Sequence, residues 1–117
     1  MKNYSLLTTK IRDNLKKLQQ EMPEVMQGFM AMHKVANQDG ALSEKTKELI
    51  ATAIAVAMRC DDCISMHMKR LVQLKVTRAE ILEMLSVTIY TGGGASLMYA
   101  THALDAFEEF EAKPKND

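Results

Sequence analysis

Cys60 and Cys63 are the only two cysteines of the chain, and they lie three residues apart. A lone C-x-x-C pair outside a cysteine-rich framework points to thiol redox chemistry or to metal binding in a reducing compartment. His67 follows Cys63 by four residues, so on a helix the three side chains share one face. Helical side chains lean toward the N-terminus, which aims the imidazole at Cys63. There it could take the thiol proton or stabilise the thiolate. The thiolate is the attacking species, and a free thiol, with a pKa of about 8.5, is mostly protonated at neutral pH. A helix beginning at the pair would add the pull of its positive dipole end. Asp61 and Asp62 oppose that pull electrostatically while helping to start the helix.

Glu48 is the expected partner of His67. If the chain turns back near Arg59, Glu48 lies eleven residues before the turn and His67 eight after it. The offset of three residues is roughly 4.5 Å of helix rise. A carboxylate at that range could orient the imidazole and hold its proton, as in other activated nucleophiles.

The order Glu48, twelve residues to Cys60, then Cys63 and His67, resembles the carboxymuconolactone decarboxylase-like superfamily, and within it the alkylhydroperoxidase (AhpD-like) branch. The likeness runs from Gly40 to Phe110 and includes the glycine turn and the following Leu97-Met98-Tyr99-Ala100. It implies an all-α fold, a six-helix AhpD-like bundle assembled as a trimer or hexamer. It also implies a dithiol that reduces hydroperoxides or disulfides in antioxidant defence and is reset by an external dithiol electron donor. By the same resemblance Cys63 would be the attacking thiol, Cys60 the resolving one, and Glu48 with His67 the proton relay. No cofactor is implied. One position departs from the pattern: the hydroperoxidases have a histidine directly before the second cysteine, and here Asp62 stands there. Peroxide turnover depends on that imidazole more than general thiol–disulfide exchange does.

The rival from another class is a non-catalytic zinc protein that uses Cys60, Cys63, His67 and Glu48 as four ligands. Two cysteines on one helical turn, without a knuckle or a second ligand pair, make an unusual zinc arrangement. A scaffold that keeps the fold and turns nothing over is a third reading. His33 and His102 read as structural, since nothing local demands otherwise. Met22, Met26 and Met30 follow core spacing and need no copper. Gly92-Gly93-Gly94 has no accompanying lysine of a phosphate loop and no preceding strand, so it reads as a helix break. No histidine directly follows Cys63, which excludes a c-type haem attachment.

The elements that would position these residues are helices. Leu7, Ile11, Leu15, Leu18 and Met22 form one apolar stripe at helical spacing. Pro23 suits the first position of a second helix, whose stripe is Met26, Phe29, Met30 and His33 and which closes near Asp39-Gly40. Ser43 is the expected N-cap of a third helix, with Leu49, Ile50, Ala53, Ile54 and Ala57 apolar and small enough for a central position. A fourth runs from about Cys60 to Leu74. Thr77-Arg78-Ala79-Glu80 is a capping box opening a fifth, with Ile81, Leu82, Leu85 and Ile89 on its buried side. A sixth follows the glycines with Leu97, Met98, Leu104, Phe107 and Phe110. The expected organisation is one helical domain over residues 1–112 with a disordered tail, 113–117.

Fifteen basic and fifteen acidic residues cancel, which argues against a nucleic-acid footprint or a polybasic membrane patch. The apolar fraction of 47% supports a real core. Leu49 to Met58 is too short to span a membrane, and the uncharged stretch from Met84 to Leu104 is broken by its glycines. The N-terminus leads into an amphipathic segment, not a signal core, so a cytoplasmic location is expected. A chain of this size cannot easily hide the whole of Met84 to Leu104, and a homo-oligomer that covers it is the economical expectation.

Overall fold

In the computed structural model, which describes residues 2–113, every regular element among the described residues is a helix. The order is α1 (Tyr4–Glu21), α2 (Pro23–Ala36), α3 (Glu44–Ala57), α4 (Asp61–Gln73), α5 (Arg78–Gly92) and α6 (Gly94–Ala112). No helix among these residues is long and apolar enough to cross a membrane. The expected tail lies outside the described residues from 114 onward, whereas Lys113 caps α6 through its N–H to the Phe110 carbonyl.

Local signals account for most boundaries. Pro23 sits in the first turn of α2. Ser43 accepts the Thr46 N–H as N-cap of α3, and Thr77 with Glu80 closes both bonds of a capping box on α5. Two helices end in the same way. Arg59 adopts a left-handed φ of 57°, its N–H donating to Val56 and the Cys60 N–H to Ala55. Lys75 does the same at φ 63°, with bonds to Val72 and from Val76 to Leu71. Both are Schellman closures made without glycine, so each carries the steric cost of a side chain in that region. Gly93, at φ 79°, makes the break between α5 and α6, and a Cβ on Gly92 would collide with the Ser96 hydroxyl.

The centre of the bundle is α4. Its Ile64, Ser65, Met68 and Leu71 are fully buried, packed with Val56 of α3, Ile81 of α5 and Ala103, Ala106 and Phe107 of α6. Tyr4 of α1 joins this core at 1% exposure, and its carbonyl accepts the Ser65 hydroxyl at 3.0 Å. Glu109 of α6 fixes the start of α1, accepting the N–H of Tyr4 at 2.9 Å and of Ser5 at 2.7 Å. Polar ties clamp the outside: Arg70 grips Glu44 with two guanidinium nitrogens at 2.8 and 3.0 Å, and Lys45 pairs with Glu80 at 2.9 Å.

Several expected core positions face outward instead. On α1 only Tyr4 and Thr8 are buried, while Leu15, Leu18 and Met22 are exposed. Helix α2 buries nothing, and Phe29 and Met30 are exposed. On α3 the buried face is Glu48, Thr52, Ala55 and Val56, and the larger Ile50 and Ile54 point away from it. Leu82, Leu97 and Met98 are likewise exposed. The stretch from Met84 to Leu104 is therefore not hidden within one chain: Val87 is 62% and Tyr90 86% exposed. On α3 the covered face is the one turned to α4, α5 and α6, and its Ile50 and Ile54 lie outside it.

Two outcomes follow for stability. Glu109→Ala strips two charge-assisted bonds from the first turn of α1 and should lower unfolding free energy by about 1–2 kcal/mol, read from denaturant midpoints. Burial, then the charges of Asp61, Asp105 and Glu109, push the Tyr4 phenol up to about 12. An unfolded tyrosine ionises near about 10, so between these values the unfolded state has released a proton that the folded state keeps. The stability contributed by the neutral phenol is therefore full below about pH 10 and is lost as pH rises toward about 12. Comparing urea midpoints at these two pH values, the wild type should lose more stability than Tyr4→Phe; equal losses would contradict this assignment.

Candidate functional site

The site forms at the turn from α3 into α4, and Cys60 belongs to both helices. Its backbone N–H closes α3 by bonding the Ala55 carbonyl, and its side chain opens α4 as N-cap, where Sγ accepts the Cys63 N–H at 3.2 Å. Cys60 therefore stands just outside α4, with an extended φ of −110°, and not on the helix face itself. Its sulfur is joined to that of Cys63 in a disulfide, with Cα atoms 5.3 Å apart. Both cysteines are partly accessible, and Cys63 rests against the buried core. The first turn of a helix, with its unpaired N–H groups, is where negative charge on sulfur is best tolerated.

Glu48 and His67 meet across the two helices. Glu48 is 2% exposed, and its Oε2 lies 2.8 Å from Nδ1 of His67. Of the four residues singled out from spacing, the structure joins Glu48 to His67 and Cys60 to Cys63, and on α4 His67 stands four residues, about one turn, after Cys63. A buried carboxylate must be paired or neutralised, and the imidazole supplies the partner. In the tautomer whose Nδ1–H donates to the carboxylate, the Nε2 lone pair can act as a base. The His67 side chain is 26% exposed. Thr52 steadies the same stretch of α3 through its hydroxyl, which donates to the Glu48 carbonyl at 2.7 Å.

A second carboxylate–imidazole pair escaped the sequence reading. Asp61, the residue after Cys60, lies 2.8 Å through Oδ1 from Nδ1 of His102 on α6, and its other oxygen pairs with Lys2. Burial pushes the Asp61 carboxyl upward, but the hydrogen bonds and charges of Lys2 and His102 outweigh it and hold the group below the usual carboxylate range. The Tyr99 ring lies against the His102 imidazole with centroids 4.6 Å apart. Nothing in the local pattern could have found this contact, since forty-one residues separate Asp61 from His102. Hence His102 reaches the residue next to Cys60, while His33 is exposed on α2. Asp62 is exposed on the first turn of α4.

In this structure the two cysteines of the zinc reading are joined to each other in a disulfide. Among the described residues no group of three or more His, Cys, Asp or Glu side chains could hold a metal ion. The Glu48 carboxylate that would serve as the fourth ligand is engaged with His67.

Comparison with known proteins agrees with the fold. Residues 23–106 match the model of the carboxymuconolactone decarboxylase family. A carboxymuconolactone decarboxylase family protein from Legionella pneumophila, solved in its apo form, superposes with a TM-score of 0.90 at 53% identity, over 92% of this chain and 96% of that one. A family protein from Thermotoga maritima, described as a candidate for an antioxidative response, superposes at 0.82 with 28% identity over 93% of each chain. An uncharacterised protein of Cupriavidus necator is 39% identical over 104 residues, 89% of this chain and 92% of that protein. With six helices in this arrangement and most of its length matched, the chain belongs to the carboxymuconolactone decarboxylase family.

Proposed function

We propose that this protein is a dithiol oxidoreductase that reduces hydroperoxides or disulfides. The observation that supports this reading best is the 2.8 Å contact between buried Glu48 and His67, one turn beyond a C-x-x-C pair at a helix start. An isolated cysteine pair needs no such neighbour. A thiolate that must form and then receive or pass on protons at neutral pH does.

In the proposed cycle His67 takes the Cys63 proton, and the Cys63 thiolate attacks the outer oxygen of a hydroperoxide. The O–O bond breaks, the leaving alkoxide takes the proton back from His67 as an alcohol, and Cys63 becomes a sulfenic acid. Cys60 then attacks that sulfur, releasing water and forming the Cys60–Cys63 disulfide. An external dithiol returns two electrons and two protons and is itself oxidised to a disulfide. With a disulfide as substrate, the first product is a mixed disulfide and the leaving group is a thiol. The antioxidative description of the Thermotoga maritima relative is consistent with this chemistry.

We further propose that the working form is a homo-oligomer, a trimer or hexamer. The support is the exposed apolar surface, including Phe29, Ile54, Val87 and Tyr90, which is large for a chain in water on its own.

Three outcomes test these readings. Stopped-flow oxidation of the reduced protein by hydrogen peroxide, an organic hydroperoxide and a small disulfide should be abolished at the chemical step in Cys63→Ser. His67→Gln should slow oxidation about 10²-fold at neutral pH, the usual size of an acid–base contribution. Unchanged rates in both variants would eliminate the mechanism. Light scattering coupled to size exclusion should give three or six times the 13.1 kDa chain mass, and a clean monomer would refute the assembly.

A further inference from the structure

Each thiol of the pair has an aspartate as a chain neighbour, Asp61 after Cys60 and Asp62 before Cys63, and of the two it is Asp61 that the fold engages. Resolution of a sulfenic acid at Cys63 requires Cys60 to attack as a thiolate, yet the residue directly after it is an aspartate. Adjacent Cα atoms are separated by only about 3.8 Å, so a bare Asp61 carboxylate would oppose negative charge on the neighbouring sulfur. The helix start favours the thiolate, and the Cys63 N–H already points at Cys60 Sγ. Asp61 would cancel much of that gain if left alone.

It is not left alone. Lys2 reaches it from the segment before α1, and His102 reaches it from α6 at 2.8 Å. The Asp61 side chain is 14% exposed, so solvent screens these contacts only in part. Their delivery is built into the fold. Glu109 holds the first turn of α1 by two backbone bonds, which keeps Lys2 near the start of α4. Tyr99 packs on the His102 ring from one turn earlier on α6. Other charged and titratable groups are Arg59 directly before Cys60, Asp62 on α4, Tyr99 on α6 and Tyr4 on α1, the last with Asp105 and Glu109 of α6 around it.

We propose that Lys2 and His102 are positioning residues for Cys60: by engaging Asp61 they withdraw its charge from the sulfur one residue away and allow Cys60 to ionise as the resolving thiol. The proposal rests on the dithiol reading above. It assigns a purpose to the second carboxylate–imidazole pair that the Glu48–His67 relay does not use. The two pairs then divide the work, with Glu48 and His67 serving Cys63 and Asp61 and His102 serving Cys60.

The test is made on Cys63→Ser, in which Cys60 is a single thiol that cannot form the internal disulfide. The rate of its alkylation by iodoacetamide at neutral pH reports the thiolate fraction, whether or not the protein reduces any oxidant. Adding His102→Ala should slow alkylation about three- to tenfold, the scale of one hydrogen bond lost from the Asp61 carboxylate. Lys2→Met, which alters a half-exposed side chain and spares the core, should slow it in the same direction. Both losses should shrink as salt is raised. In an Asp61→Asn background, His102→Ala should have no further effect, because the charge to be withdrawn is gone. Alkylation unchanged by both His102→Ala and Lys2→Met would overturn the proposal. So would a loss of equal size in the Asp61→Asn background, since that would mark His102 as merely structural.

Discussion

A carboxylate buried between two helices is the constraint from which the rest of this structure follows. Glu48 is all but inaccessible, and an ionised carboxylate in such a place costs several kcal/mol unless a partner offsets it, of the order of the penalties for uncompensated buried charge. His67 is that partner, and it lies on the next helix. The pair therefore ties the register of α4 to that of α3: a slip of one residue along either helix would rotate one member away and leave the charge alone. Helices α3 and α4 can satisfy it only if the chain reverses sharply between them, and the left-handed Arg59 makes that reversal.

The reversal in turn places the dithiol. Because the turn is only a few residues long, Cys60 has to finish one helix and begin the next. A sulfur in the N-cap position meets backbone N–H groups, and a second cysteine three residues on meets the first across the same turn. Site and fold are thus the same piece of structure. The apolar face of α4, with Ile64, Met68 and Leu71, anchors it to the bundle, so that the imidazole and the Cys63 sulfur beside that face are held by a fully packed helix.

Much of this was legible in the sequence, for reasons that are local. Capping residues, proline and glycine marked the helix ends at Pro23, Ser43, Thr77 and Gly93, and these signals act within a few residues. The meeting of Glu48 with His67 could be anticipated because two helices joined by a tight turn have a register fixed by arithmetic. What remained hidden depends on distant packing. Spacing could not say which apolar stripe of α3 faces inward, because Ile50 and Ile54 repeat at the same helical period as Thr52 and Val56. It could not say that α2 packs on little within its own chain. Nor could it bring His102 to Asp61, since that contact depends on how α6 lies across the start of α4. Lys2, in the segment before the first helix, carried no local sign of belonging to the site at all.

The central claim is that the buried Glu48–His67 pair ionises Cys63, and the most direct measurement is the titration of that thiol. In Cys60→Ser, with Cys63 the single thiol, thiolate absorbance can be followed against pH with Glu48 present and with Glu48→Gln. A histidine held by a carboxylate is a better proton acceptor and stabilises an adjacent thiolate as an ion pair. The expected result is a Cys63 pKa below the ordinary value of about 8.5, returning toward it in Glu48→Gln. Titration at about 8.5 in both proteins would contradict the claim and leave the pair a structural feature of the helix packing.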